Sequence, residues 1–305
     1  MRMYGTPATF LATVAMALAI ACSAGHAVEV QTYQGSQTVA EKPARIAVFD
    51  IAAIDTLNAL GVDVDGVPNN LYIDALKHRF KSAVTVGTLF EPDLEALNAL
   101  DPDLIIVGGR SSTQLEQTRR VAPSIDMTIW GDDLLGQARQ RILDYGEIFG
   151  VGARADALAQ DLDTRIDAAR RAADGKGTAL ILMTNGPKIS VYGPKSRFGW
   201  IHATLGIPPA DPNIDAGNHG DAVSFEFVAD LDPDWLIVVD RAAAIGSNEQ
   251  NARATLDNTL LRATRAWQAE RIIYVPSASV YIAAGGAQAT MDVLDSLTDG
   301  FAKAQ

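Results

Sequence analysis

The chain has 305 residues and a formal charge of −12, with 37 acidic against 25 basic side chains. That length admits two domains, and apolar and charged fractions of 48% and 20% describe a globular chain, not a disordered one. The acidic balance argues against a nucleic-acid partner, which would meet a basic face, but not against an anionic small ligand, because charges beyond about 8 Å are screened at physiological salt.

Arg2, the apolar run 10–20 and the small residues up to Gly25-His26-Ala27 form a secretory signal, taken as residues 1–27. The run is shorter than the about 20 residues that a membrane span needs. Cys22 is the one cysteine, so cleavage after Ala27 leaves a mature protein without a thiol. Ala19-Ile20-Ala21-Cys22 is also an imperfect lipoprotein box, and cleavage before Cys22 would leave a lipid anchor. The preferred reading is a free periplasmic protein.

Strands and helices then alternate as in a parallel-sheet α/β chain. Residues 28–43 are a polar leading strand or arm. A strand at 45–49, a helix at 51–60 closed by Gly61, a short strand at 84–87 and another at 103–109 follow. A helix near 113–121 leads to a strand at 127–130, and residues 28–151 make a first lobe. The chain is helical from 134 to 174 except at Gly150-Val151-Gly152. Leu158, Leu162, Ile166 and Ala169 sit at helical spacing amid charge, so residues 152–174 are predicted to bridge two lobes, although the same spacing describes an ordinary surface helix. The second lobe, 175–305, has strands at 179–183, 189–193, 235–239 and 271–275, a short helix at 199–205 and a polar loop at 211–221. A helix at 256–270 and a closing helix at 287–304 complete it.

One segment occurs twice. Asp101-Pro102-Asp103-Leu104-Ile105-Ile106-Val107-Gly108-Gly109-Arg110 returns as Asp232-Pro233-Asp234-Trp235-Leu236-Ile237-Val238-Val239-Asp240-Arg241, and a Phe-Glu pair precedes each copy. Asp-Pro stops the preceding helix, because the residue before proline is pushed out of the helical region. The apolar run is a buried parallel strand, and the arginine lies at its carboxyl end, where open α/β sheets bind ligands. Two such units imply two lobes with a ligand between them.

No dinucleotide, phosphate-loop or nucleophile-elbow motif occurs, and outside the signal the histidines are His78, His202 and His219. Arg110 and Arg241, with Arg197 in the turn after Tyr192-Gly193-Pro194, are candidate ligand contacts whose planar forks suit carboxylate or catecholate oxygens. His219, between Gly217-Asn218 and Gly220, is by default an exposed loop histidine, and Tyr281 half-buried packing. Together they are also hard donors that could complete an Fe(III) shell whose other ligands come from a chelator. Glu91 and Glu226, one per repeat, are by default helix-start charges, and as a pair could dock both lobes onto a basic partner.

These residues resemble the periplasmic binding proteins of ferric-siderophore ABC importers, in the class joined by one long helix, and most of all the enterochelin-uptake type. The resemblance runs from about residue 44 to the end of the chain and rests on Val48-Phe49-Asp50, 57–62, 87–94, the Arg110 strand, 192–199, Asn218-His219-Gly220, 224–227, 239–241 and Tyr281 with its Gly-rich follow-on. It implies two α/β lobes with mainly parallel sheets and no catalysis. Arg110, Arg197 and Arg241 would surround a ferric catecholate, His219 and Tyr281 would complete the iron, and Glu91 and Glu226 would dock a permease with its ATPase. The ferric siderophore is then cargo, no intrinsic cofactor is implied, and a monomer is expected. Before Tyr281 the sequence 275–280 lacks the aromatic and acidic residues expected there. Haem, a corrinoid or a hydroxamate siderophore are alternative cargoes on the same fold, and an enzyme using the cleft is the alternative of another class.

Overall fold

The computed structural model describes residues 27–131, 133–214 and 220–303; the signal segment, Cys22 and His219 lie outside them. The leading arm is a hairpin of β1 (Ala27–Thr32) and β2 (Gly35–Ala40). Two five-stranded sheets follow. The first contains β3 (Ile46–Val48), β4 (Gly66–Val67), β5 (Val84–Thr85), β6 (Leu104–Val107) and β7 (Ser124–Asp126), all parallel, in the order β5-β4-β3-β6-β7. The second contains β8 (Ala179–Asn185), β9 (Lys188–Tyr192), β10 (Asp221–Val223), β11 (Trp235–Asp240) and β12 (Ile272–Tyr274), in the order β10-β9-β8-β11-β12. Here β8, β11 and β12 are parallel, while β9 and β10 are antiparallel to their neighbours.

The repeated segment builds the same device in both lobes. Its first aspartate caps the preceding helix in the left-handed region, Asp101 at φ 51° and ψ 62°, Asp232 at φ 42° and ψ 61°. The second aspartate then clamps the chain entering the central strand. Asp103 accepts the N–H groups of Ala44 and Arg45 at 2.9 and 2.8 Å, and Asp234 accepts that of Thr178 at 2.9 Å. The repeat strands β6 and β11 that follow are buried almost throughout. Trp235 fills the second core edge-on to Phe301, centroids 4.7 Å apart, with its indole N–H on the Lys176 carbonyl at 2.9 Å.

The Gly152–Ala173 helix buries Ala155, Ala159, Leu162, Ile166, Ala169 and Ala173, an i, i+3, i+4, i+7 stripe, and exposes its charged face. The stripe joins a core cluster that includes residues of both lobes, such as Ile142 and Tyr145 of the first and Leu205 and Phe301 of the second. A second crossing was not foreseen. The closing helix, Ala287–Lys303, begins against the first lobe, where the Ile51–Ala59 helix caps it from outside. Asp55 accepts the Ala289 N–H at 2.9 Å, and the Thr56 hydroxyl accepts that of Ala287 at 3.1 Å. Burial pushes the Asp55 carboxyl up to about 7, opposed by the Ala289 N–H and reinforced by the charge of Asp292.

Three local expectations are corrected. The helix at 256–270 is three short ones, Ala252–Leu256, Thr259–Arg262 and Arg265–Gln268, because the Asn258 and Thr264 side chains accept backbone N–H groups and start new helices. The strand at 127–130 is β7 at Ser124–Asp126, three residues earlier; after it Met127 enters the core, while Ile129 and Trp130 line a cavity wall. Glu91 and Glu226 do not occupy matching places. Glu226 is the second residue of the Phe225–Leu231 helix, and its counterpart in Leu94–Leu100 is Glu95, whereas Glu91 lies in a turn closed by the Thr88 hydroxyl, before the Asp93 cap. Counting back from Asp-Pro, not from Phe-Glu, gives the true alignment.

Candidate functional site

The carboxyl ends of both sheets face one cavity of about 930 Å³, lined from the two lobes. Arg110, Arg197 and Arg241 all reach it, although they leave three different strands.

Each arginine is placed by its own local structure. Arg110 follows β6 on a tight turn in which a Cβ at Gly108 would lie 2.7 Å from an Asp50 oxygen, while the Gly109 N–H donates to the Thr128 hydroxyl at 2.8 Å. Asp50, half-buried beneath this turn, is raised to about 6 by desolvation, against the Ala52 N–H and the charge of Arg110. Arg197 follows β9 on the turn 193–199, whose two glycines are obligatory. A Cβ at Gly193 would fall 1.7 Å from the Ile214 carbonyl oxygen, and one at Gly199 would fall 1.8 Å from that of Pro194. Arg241 opens the helix after β11, whose cap Asp240 accepts the Ala243 N–H at 3.0 Å and that of Ala252 at 2.7 Å.

All three converge on Tyr281. Arg110 and Arg197 donate to its backbone carbonyl at 2.9 and 3.0 Å, and Arg241 donates to its phenol oxygen at 3.2 Å. The guanidinium of Arg197 also lies 4.6 Å from the ring centroid and that of Arg110 5.2 Å. Tyr281 ends the short helix Ser277–Tyr281, so the carbonyl that gathers two cations belongs to the negative end of that helix. Arg110 comes from the first lobe and Tyr281 from the second, so the contact joins them across the cavity. Burial would raise the Tyr281 phenol, but the Arg241 hydrogen bond and the charges of Arg241, Arg197 and Arg110 prevail and hold it below the ordinary tyrosine range. Burial, and then repulsion from Arg110, lowers Arg197, which still remains charged at neutral pH. The result is a cationic pole around an oxygen donor whose phenol is held below its ordinary range, suited to an anionic oxygen-rich ligand, including one that carries a hard metal ion.

His219 lies outside the described residues, so its relation to this pole is not seen. Glu91, Glu95 and Glu226 are exposed and stand apart from the cavity lining. Sequence reasoning missed Tyr33, Trp130, Lys188 and Trp200, which also line the cavity. Period and motif carry no signal for them, because strand order and the docking of the hairpin bring them there.

The comparisons agree with this geometry. The chain is 32% identical over 280 residues to the petrobactin-binding protein YclQ of Bacillus subtilis, covering 90% of this chain and 88% of that one. It is 28% identical to the ferric-anguibactin-binding protein FatB of Vibrio anguillarum, covering 88% and 85%. The crystal structure of the periplasmic catecholate-siderophore binding protein VctP of Vibrio cholerae superposes with a TM-score of 0.83 at 27% identity, covering 90% and 100%. Residues 46–279 match the model of one family, and with two α/β lobes around a shared cavity the chain belongs to the periplasmic binding proteins.

Proposed function

We propose that the protein captures a ferric catecholate-type siderophore between its lobes and delivers it to an inner-membrane ABC importer, without catalysing a reaction. The observation that carries this reading is the convergence of Arg110, Arg197 and Arg241, from both lobes, on Tyr281. A ferric catecholate is a bulky anion whose oxygens would take over the guanidinium hydrogen bonds now made to the Tyr281 carbonyl. Arginine suits that role because it keeps its charge at any physiological pH. When the chelator supplies only four donors, Tyr281 as phenolate and His219 as neutral imidazole would complete the iron. The two relatives named for petrobactin and ferric-anguibactin binding support a siderophore as the ligand.

The signal segment would export the chain to the periplasm, with a lipid anchor at Cys22 as the alternative processing. Permease docking would use Glu226 on one lobe and, by the register of the repeat, Glu95 in place of Glu91 on the other.

The test is a fluorescence titration of the mature protein with ferric bis-catecholate and ferric tris-catecholate chelates, alongside Tyr281→Phe and His219→Ala. Submicromolar binding, weakened in both variants for the four-donor chelate and largely kept for the six-donor one, is the expected result. Tight binding indifferent to both variants would remove the two iron donors and keep the cargo. No binding of either chelate would overturn the reading.

A further inference from the structure

The cavity has a second pole. Tyr33, at the tip of the β1–β2 hairpin, and Trp130, just beyond β7, both line it, and both come from the first lobe. Their rings meet edge to face with centroids 5.3 Å apart. Each is nearly half exposed, 46% for Tyr33 and 45% for Trp130. Among the described residues only Phe90 and Val84 are more exposed large apolar side chains, and neither lines the cavity.

The pair is held in place. The Tyr33 N–H donates to the Asp126 carbonyl at 2.8 Å, which pins the hairpin to β7. The Gln137 side chain grips the Trp130 backbone at both ends, accepting its N–H at 3.1 Å and donating to its carbonyl. Arg141, 6.0 Å from the Trp130 ring centroid, donates to the carbonyls of Gln31, Met127 and Thr128 and pairs with Asp144 at 3.2 Å. That buried guanidinium ties the hairpin to the segment carrying Trp130, so the ring stands on a braced base. The indole N–H makes no hydrogen bond among the described residues. A rigid aromatic face left wet beside a ligand cavity is what a flat partner needs, because little ordering cost remains to be met on binding.

Topology places this face beside the cationic pole. β6 and β7 are neighbouring parallel strands, so Arg110 and Trp130 leave adjacent strands at the same end of one sheet. We infer that Tyr33 and Trp130 form a stacking subsite for a planar aromatic or heteroaromatic ring of the ligand, so that the cleft selects a two-ended chelate, anionic at the arginines and aromatic at the hairpin. This rests on the ferric-chelate reading above and narrows it, since a compact aliphatic chelate would fill only the arginine end.

The test uses the full mature chain, its Trp130→Ala, Tyr33→Ala and Trp130→Phe variants, and calorimetric titration, which does not depend on the replaced fluorophore. The probes are ferric citrate, a ferric bis-catecholate with a plain aliphatic linker, and the same chelate with a phenyl ring attached to the linker. Wild type should bind the phenyl-bearing chelate roughly tenfold or more tighter than the plain one, the scale of one aromatic pair with its buried area. Trp130→Ala should abolish that preference, Tyr33→Ala should weaken it and Trp130→Phe should retain part of it, while affinity for ferric citrate stays within about twofold. Wild-type binding with no ring preference, or an equal loss for all three chelates in Trp130→Ala, overturns the subsite and leaves the proposed function standing. Failure of wild type to bind any of the three overturns both.

Discussion

In the first lobe Asp103 clamps the backbone of Ala44 and Arg45; in the second Asp234 clamps Thr178 and takes Arg265 as well, at 2.7 Å. The same Asp-Pro-Asp device thus ends a helix, seats a parallel strand and delivers an arginine in both halves. Beyond that the lobes diverge. The second adds antiparallel strands β9 and β10, and the turn after β9 carries Arg197, so this side of the cavity owns two arginines and Tyr281. The first keeps a wholly parallel five-stranded sheet, adds the β1–β2 hairpin, and owns one arginine and the Tyr33–Trp130 pair. The duplicated scaffold supplies the geometry and one arginine per lobe, and the unduplicated segments supply Arg197, Tyr281 and the aromatic pair.

The sharpest way to separate the two copies is at the first residue of the repeat strand. Trp235→Ala should cost about 3–5 kcal/mol, the range for deleting a buried large aromatic, and more than Leu104→Ala at the matching place, because it also removes the indole N–H donated to the Lys176 carbonyl. Urea unfolding checks this, and equal losses at the two positions would mean that the cores are equivalent after all.

On the ligand side, single replacements of Arg110, Arg197 and Arg241 by alanine should each weaken a ferric catecholate by roughly 1.5–3 kcal/mol, about tenfold to a hundredfold, as expected for hydrogen bonds to a charged group. Arg110 is the one member the first lobe contributes. If its loss changes nothing, the cationic pole belongs to the second lobe alone.

Smaller effects are expected at the clamps. Asp103→Ala and Asp234→Ala should each destabilise by about 1–3 kcal/mol, and the second by more, since Asp234 also serves the Thr178 hydroxyl and Arg265. Thermal melts of the two variants side by side would decide the ranking.

What could be read before the fold was known follows from how local each signal is. Asp-Pro, the helix-closing Gly61 and the Gly152–Ala173 stripe act within a few residues of themselves, so strand and helix were legible. Arg110, Arg197 and Arg241 could be named because each ends a legible strand or turn. Glu95 was missed because the eye counted from Phe-Glu while the backbone counts from Asp-Pro. The hairpin contact of Tyr33 with Trp130 joins residues almost a hundred positions apart through strand order, which no period encodes. The broken helix at 252–268 shows competition within one window, where the Asn258 and Thr264 side chains outbid the helix for backbone N–H groups.

The last predicted effect is one of pH, and it sets the lobes apart in sign. Asp55 is raised from 3.8 to about 7, so the stability tied to its protonation is fully present below 3.8 and is lost as pH rises through about 7. Within that window the slope is at most about 1.4 kcal/mol per pH unit. Asp234, lowered chiefly by the Thr178 N–H, acts oppositely, and its contribution disappears only as pH falls below the ordinary carboxylate range. Asp55→Asn should therefore flatten the decline in melting temperature between pH 5 and pH 8 without touching the acid limb. An unchanged decline would mean that the carboxyl ionises at its ordinary value.

That carboxyl also bears on how the halves are joined. With the Gly152–Ala173 helix and the capped start of Ala287–Lys303 both crossing between the lobes, the junction resembles a beam held at two separated supports. One support would leave the halves free to twist about it; two resist torsion and leave shallow flexure as the soft direction. Cargo that drew the two walls together would then register on the outside as a small change in spacing, not as a swing of one half against the other.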